Sequence, residues 1–99
     1  MYWSRAVAYL QTHYQDPTLT TAQLAQELYA SREHLSRAFK ERTMESIHNY
    51  LIYLRMQHCR KALEEGVSVL NACTESGFPD YSSFLKTFRR LYSITPAEY

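Results

Sequence analysis

The chain has 99 residues, enough for one small domain or for two half-size units that share structural elements. A hydrophobic fraction of 45% argues against disorder, and neither a signal-peptide pattern nor an apolar run long enough to cross a bilayer is present. The formal net charge of +1 gives the chain as a whole no basic character of the kind that favours nucleic-acid binding.

Residues that interrupt helices are few, namely two glycines and three prolines, and no segment alternates cleanly between polar and apolar residues. We therefore predict an all-α fold. A first amphipathic helix covers residues 2–14; because Met1 stands directly before it, the chain is compatible with a fragment of a longer protein. A second helix covers residues 20–28, where Thr20 and Gln23 have the spacing of a capping box.

The later part of the chain predicts further helices, which brings the total to about seven helical elements. They cover residues 31–42, 46–64, 68–77 and 80–92, followed by a short turn that begins at Pro96. Ser31 and Asp80 are the expected N-caps of the helices that they precede. The long helix carries an apolar stripe made of Ile47, Tyr50, Leu51, Leu54, Cys59 and Ala62.

Two stretches of the chain, residues 35–50 and 84–99, resemble each other at an offset of 49 positions. The repeat extends further back, so that each copy, residues 20–42 and 68–92, consists of a short helix, a tight turn and a second helix of nearly three turns, which is the helix-turn-helix pattern. Two copies in register predict two homeodomain-like helix-turn-helix subdomains, residues 1–45 and 66–99. A connecting helix over residues 46–65 joins them.

The charges are unevenly distributed along the chain. Residues 31–61 have a net charge of +4 and residues 80–92 a net charge of +2, whereas the remaining residues together carry −5. The two basic segments contain the second helix of each copy. This asymmetry points to a polyanionic partner.

A helical wheel divides each of these second helices into a buried and an outward face. The predicted buried residues are Leu35, Ala38 and Phe39 in the first helix and Phe84, Thr87, Phe88 and Leu91 in the second. The outward residues are Glu33, Ser36, Arg37 and Lys40 in the first and Ser82, Leu85, Lys86 and Arg89 in the second. Because a recognition helix lies in the major groove, the outward sets are candidates for base and phosphate contact.

The outward residues differ in what they could read. The planar fork of Arg37 can donate two hydrogen bonds to guanine, a contact worth ~1–3 kcal/mol of discrimination. Lys86 holds the equivalent place but is a point charge. Glu33 is placed either to accept from cytosine or to repel wrong sites. Lys40 and Arg89 lie one turn further on, where contact with phosphate is expected.

Over essentially its whole length, the chain resembles the DNA-binding domain of AraC/XylS-type bacterial transcription regulators, through LTTAQLAQELYASREHLSRAFKERT, SIHNYLIYLRMQHCRKAL and SVLNACTESGFPDYSSFLKTFRRLYSITPAEY. The resemblance implies a seven-helix domain whose two helix-turn-helix units enter successive major-groove segments on one face of double-stranded DNA. It puts base readout at Arg32, Glu33, Ser36, Arg37, Tyr81, Ser82, Leu85 and Lys86, and phosphate contact at Lys40, Arg89 and Arg90.

The same resemblance implies the setting in which the domain works. Such domains usually stand at the C-terminus, behind a ligand-sensing, dimerising or phospho-receiver domain, and RNA polymerase is a further candidate partner. The expected location is the cytoplasm, at the nucleoid, with no membrane partner and no cofactor.

Three positions depart from the family pattern. The family usually has glycine where this chain has Met44 and Ser93, after the third and sixth helices. A left-handed C-cap costs a residue with a Cβ about 1 kcal/mol, so either those helices end differently or stability is lost. Tyr29 stands where the second unit has Gly77, so the first turn is expected to be slightly recast.

Other chemistries have little support in the sequence. The four histidines form no i,i+4 pair and no CxxC is present, so no metal site is expected. Without a glycine-rich phosphate loop or paired carboxylates, an enzyme is not indicated. Cys59 and Cys73 are expected to be buried thiols in a reducing cytosol, with a disulfide left open. The alternative function is a helical protein-interaction module whose basic faces bind an acidic partner.

Overall fold

The computed structural model describes residues 2–99, with side chains from residue 3 onward, and Met1 lies outside the described residues. Its helices are α1 (Tyr2–His13), α2 (Thr21–Glu27), α3 (Arg32–Thr43), α4 (Ile47–Glu64), α5 (Val69–Glu75) and α6 (Tyr81–Tyr92), and a 3-10 turn follows at Pro96–Glu98. No strand occurs in this part of the chain, so the all-α prediction is confirmed. None of the described helices is long and apolar enough to span a membrane.

Five of the described helices begin at the residues that the sequence predicts as their starts. Each cap is a residue whose side-chain oxygen accepts the backbone N–H three positions on: Thr20, Ser31, Ser46, Ser68 and Asp80. The capping box of α2 is complete, because the backbone N–H of Thr20 also donates to Oε1 of Gln23 at 3.1 Å. Since each cap contributes ~1 kcal/mol, the helix starts are determined largely by local sequence.

The helices pack around two separate hydrophobic clusters, which share α4. The first core consists of Ala6, Leu10, Leu19, Leu24, Ala25, Leu28, Leu35, Phe39, Ile47 and Leu51. The second core consists of Met56, Cys59, Ala62, Ala72, Cys73, Phe84 and Phe88. The N-terminal part of α4 therefore completes the first core and its C-terminal part completes the second. Because α4 belongs to both cores, it links the half that contains α3 to the half that contains α6.

The buried face of α6 is rotated from the one predicted on the wheel. Phe84 and Phe88 are buried as expected, but the prediction for Leu91 is wrong, because its side chain is 45% exposed. Tyr92 takes its place, with its ring centroid 4.8 Å from that of Phe88. The core thus lies on the side of residues 84, 88 and 92, whose centre is roughly 40° from the direction of Phe84. The same rotation brings Leu85 partly against the second core.

One residue of the predicted basic segment is buried. The Arg55 side chain is 5% exposed and bonds the segment between α1 and α2. Its Nε donates to the carbonyl of Tyr14 at 2.8 Å and its Nη2 to the carbonyl of Asp16 at 3.0 Å. Burial lowers the pKa of Arg55, and the nearby Asp16 carboxylate opposes this effect. The Asp16 carbonyl also accepts the backbone N–H of Leu19 at 3.2 Å, so the guanidinium is a second donor to this carbonyl and a donor to that of Tyr14.

Cys59 and Cys73 are free thiols buried in the second core, as the sequence predicts. Burial raises the pKa of Cys59 to about 11 and also raises that of Cys73. Both side chains therefore stay protonated at neutral pH and pack as small apolar groups.

Three non-glycine residues adopt the left-handed backbone conformation. Met44 has φ of 62° and Ser93 has φ of 64°, and each donates its N–H to the carbonyl four residues earlier. The expectation that α3 and α6 would end differently is therefore wrong, and the other alternative, a loss of stability, stays a prediction. Tyr29 has φ of 55° in the first turn, where its counterpart Gly77 has φ of 95°. The two turns thus share a left-handed residue despite their different side chains.

Replacing Met44 by glycine is expected to raise the free energy of unfolding by ~1 kcal/mol, because glycine adopts this conformation without steric cost. For a domain of this size the gain corresponds to a rise of roughly 4–8 °C in Tm. Met44→Ala is the matched control, since it removes the same exposed side chain and keeps the Cβ. An equal rise in Tm for both variants would contradict backbone strain as the cause.

Candidate nucleic-acid interface

The outward faces of α3 and α6 are lined by polar and charged side chains. On α3, Arg32, Glu33, Arg37 and Lys40 are exposed; on α6, Tyr81, Ser82, Lys86, Arg89 and Arg90 are exposed. Each set lies on a helix whose opposite face is buried in a different core. The exposed cations therefore form two basic faces, one on each helix.

Two of the predicted base-reading residues are less accessible than the sequence suggests. Ser36 is half-buried on α3. Leu85 is half-buried on α6, where it packs against the second core because the helix is rotated. Only part of the Leu85 side chain is therefore available to a ligand, and the polar and aromatic residues Tyr81, Ser82 and Lys86 dominate the exposed face of α6.

The two helices begin with caps of different charge. The neutral hydroxyl of Ser31 accepts the N–H of His34 at 3.1 Å, whereas Oδ2 of Asp80 accepts the N–H of Ser83 at 2.9 Å. Hydrogen bonds from the side chain and backbone of Ser83 lower the pKa of Asp80, so this carboxylate is ionised at neutral pH. A full negative charge thus stands at the start of α6, while α3 starts with a neutral cap followed by Arg32. The N-terminus of α3 is the more favourable one for an anion.

Three cations of the basic segment make contacts within the fold, and of these three Arg42 stays exposed. Beyond the buried Arg55, the Arg42 guanidinium lies 5.0 Å from the ring centroid of Trp3, and that of Arg60 lies 4.8 Å from the ring centroid of Tyr92. The net charge counted along the sequence therefore overstates the charge offered to a ligand. The position of Arg55, four residues after Leu51 and four before Cys59, is the signal that could have revealed its burial.

Within residues 2–99, no group of three or more His, Cys, Asp or Glu side chains is arranged to hold a metal ion. The exposed faces of α3 and α6 present guanidinium, ammonium and hydroxyl donors, which suit recognition of an anionic surface.

Comparison with known sequences connects this architecture to transcription regulators. A protein family described as a helix-turn-helix domain matches residues 24–99. The chain is 32% identical over 92 residues to the HTH-type transcriptional regulator YpdC of Escherichia coli (strain K12), covering 92% of this chain and 32% of that protein. It is 29% identical over 84 residues to the HTH-type transcriptional regulator CdhR of Pseudomonas aeruginosa, covering 84% and 25% respectively. The chain thus spans a third or less of the length of these relatives.

Solved structures share the same arrangement of helices. The C-terminal domain of the two-component response regulator yesN from Fusobacterium nucleatum matches with a TM-score of 0.89 and 26% identity, covering 94% of this chain and 91% of that one. The DNA-binding domain of AdpA, a global transcriptional factor solved in complex with a target DNA, also matches with a TM-score of 0.89 and 26% identity, covering 98% and 87%. Both matches extend over nearly the whole chain and therefore include α3 and α6 together.

Arg42→Ala is expected to lower the free energy of unfolding by ~0.5–1 kcal/mol, because it removes the guanidinium from the face of Trp3. Arg37→Ala, on the exposed face of the same helix, should change it by less than about 0.5 kcal/mol. Thermal denaturation of the two variants beside the unsubstituted chain measures the difference. A loss of similar size in both would show that the contact with Trp3 does not stabilise α3.

Proposed function

The chain belongs to the AraC family of helix-turn-helix domains, the DNA-binding domains of transcription regulators, and we propose that it inserts α3 and α6 into successive major-groove segments of one duplex. The observation that carries this proposal is the pair of exposed basic faces on α3 and α6, each backed by its own core and joined through α4. A single chain of this kind offers two recognition helices without needing a dimer.

On α3, the proposed base-reading residues are Arg32, Glu33, Ser36 and Arg37. Arg37 is the principal one, because its exposed fork can donate two parallel hydrogen bonds to guanine O6 and N7. Glu33 suits the amino group of cytosine. Because Ser36 is half-buried, its hydroxyl can reach a base only where the edge of the groove comes close to α3.

On α6, the proposed base-reading residues are Tyr81, Ser82, Leu85 and Lys86. Lys86 contributes a mobile point charge, which discriminates among bases less sharply than an arginine fork. Tyr81, 40% exposed, offers apolar contact to a thymine methyl, and the accessible part of Leu85 offers the same. Lys40 on α3 and Arg89 and Arg90 on α6 are the proposed phosphate contacts.

The difference between the two helices supports a division of labour. α3 carries an arginine at the principal base-reading position, whereas α6 carries a lysine at the equivalent position and has Arg89 and Arg90 in its last turn. We assign most of the sequence discrimination to α3, and to α6 mainly a contribution to affinity through its phosphate contacts.

We also propose a setting for the domain in the whole protein. The two cores support a division into residues 1–45 and 66–99, with a connecting helix at 46–65. A longer chain would hold a ligand-sensing, receiver or dimerisation domain elsewhere, and the relative YpdC, which is about three times as long, supports this. Contact with RNA polymerase is a further part of the proposed setting. The domain then binds without catalysing a reaction, and its DNA target places it in the cytoplasm at the nucleoid.

Arg37→Ala is expected to relax the preference at one base position, where the cost of a mismatch should fall by ~1–3 kcal/mol. Lys40→Ala is expected to weaken binding to all sequences evenly and to reduce the slope of log K against log salt by ~0.9. Titration of matched and mismatched duplexes at several salt concentrations separates the two effects. If neither variant changed affinity for any duplex while a protein partner bound tightly, the protein-interaction alternative would replace the proposal.

Selection of bound sequences from a random duplex pool is expected to enrich an asymmetric site with two recognised elements about 10 base pairs apart, one helical turn of DNA. The asymmetry follows from the different residues on α3 and α6. Enrichment of a single short element would contradict the use of two recognition helices.

A further inference from the structure

Residues 14–16, the first part of the segment between α1 and α2, lie between the two halves of the molecule. They follow α1, whose Leu10 belongs to the first core, and they also contact α4 and the turn between α5 and α6. The side chain of Asp16 shapes the segment. Its Oδ1 accepts one hydrogen bond from the backbone N–H of Thr18 at 2.9 Å and another from the hydroxyl of Thr18 at 2.7 Å. The backbone carbonyls of residues 14–16 therefore point away from α1 in a defined geometry.

The contacts with α4 come from two residues nearly one turn apart. Arg55 bonds the carbonyls of Tyr14 and Asp16, as described above. The hydroxyl of Tyr14 lies 2.8 Å from Nδ1 of His58. The three hydrogen bonds fix the segment against α4 both along the helix and around it.

The contacts with the second half are of two kinds. Nε2 of Gln15 donates to the carbonyl of Glu75, the last residue of α5, at 2.9 Å. Gly77 packs backbone against backbone: a Cβ added there would lie 2.4 Å from the carbonyl oxygen of Tyr14 and 2.7 Å from Cα of Gln15. Only glycine fits at this distance, and its φ of 95° also favours glycine. Four residues later α6 begins at Tyr81, so the position of Gly77 bears on that of the recognition helix.

We propose that this inter-unit contact, formed by residues 14–16 with Arg55, Glu75 and Gly77, is a specificity determinant: it sets the number of base pairs between the two DNA elements that the domain accepts. The inference rests on the proposed function. Without the contact, α4 alone would determine how α6 is turned relative to α3. With it, the second half is held at two places, on α4 and on the segment that follows α1.

The geometry of DNA makes such a restraint effective. Adding one base pair between the elements moves the second one by ~3.4 Å along the duplex and turns it by ~34°, from about 10.5 base pairs per turn. Two recognition helices held rigidly can follow only one spacing. A contact that yields by a few ångströms or a few tens of degrees admits the neighbouring spacings.

The test uses a series of duplexes that carry both selected elements with spacings from two base pairs shorter to two longer than the optimum, and one duplex that carries the α3 element alone. For the unsubstituted chain, affinity is expected to fall about tenfold or more when the spacing changes by one base pair. For Gly77→Ala the fall is expected to shrink to about threefold or less, or the optimum to move by a base pair, because the added methyl forces the turn away from Tyr14. Its affinity for the single-element duplex should stay within about twofold of that of the unsubstituted chain.

Gly66→Ala is the matched control. Gly66 has nearly the same φ, +91°, but nothing lies within 4 Å of an added Cβ. Both variants therefore carry the conformational strain of alanine, and only Gly77→Ala carries the clash. Gly66→Ala is expected to lose stability and to keep the spacing profile of the unsubstituted chain.

Two milder variants cover the case in which Gly77→Ala does not fold. Arg55→Lys keeps the charge and shortens the reach to the two carbonyls, and Gln15→Ala removes only the exposed bond to Glu75. Each should flatten the spacing profile in the same direction. Three outcomes would overturn the inference and leave DNA binding intact. The spacing profile could be unchanged in the folded variants, or Gly66→Ala could broaden that profile as much as they do. The unsubstituted chain could also bind equally well at every spacing. An unsubstituted chain that binds no duplex would overturn the proposed function and this inference together.

Discussion

The guanidinium of Arg55 joins the helix that both cores share to the segment that follows α1, and the arrangement of the two halves depends on this junction. A buried cation is costly to desolvate, and here the cost is offset by two bonds to main-chain carbonyls and by the neighbouring carboxylate of Asp16. Removing the guanidinium would take this donor away from the Tyr14 carbonyl, whereas the Asp16 carbonyl would keep its bond from the backbone N–H of Leu19. Lysine, with a single ammonium, cannot reproduce the fork that reaches both at once.

The junction matters because each core is small. A unit of about 45 residues buries too little apolar surface to have a large free energy of unfolding by itself. Sharing α4 lets each half contribute to the other, since residues on successive turns of one helix complete the first core and then the second. The cost of left-handed Met44 and Ser93 is tolerable in this setting because five strong N-caps and two compact aromatic and aliphatic clusters favour the same helices.

Much of the fold could be predicted from the sequence, because its determinants are local. N-caps, capping box and helical periodicity act within a few residues, so the starts of α2 to α6 and the buried pairs Leu35–Phe39 and Phe84–Phe88 follow from them directly. What could not be predicted depends on contacts between distant segments. Tyr92 packs against the second core in place of Leu91, and its ring lies under the guanidinium of Arg60, which is 32 positions earlier in the chain. Arg55 stands on the apolar stripe of α4, but the carbonyls that its guanidinium bonds lie 41 and 39 positions away, and no local pattern reveals these partners.

The different caps of α3 and α6 have a consequence for orientation. Two identical subunits related by a two-fold axis read a palindrome, and the resulting complex looks the same from either end of the site. A domain whose first recognition helix begins with Ser31 and whose second begins with ionised Asp80 has no such symmetry. Bound to a duplex, the domain therefore presents different ends in the two directions along the DNA. One site would then define a direction along the chromosome, upstream or downstream, and reversing the site would present the opposite end of the protein to the neighbouring gene.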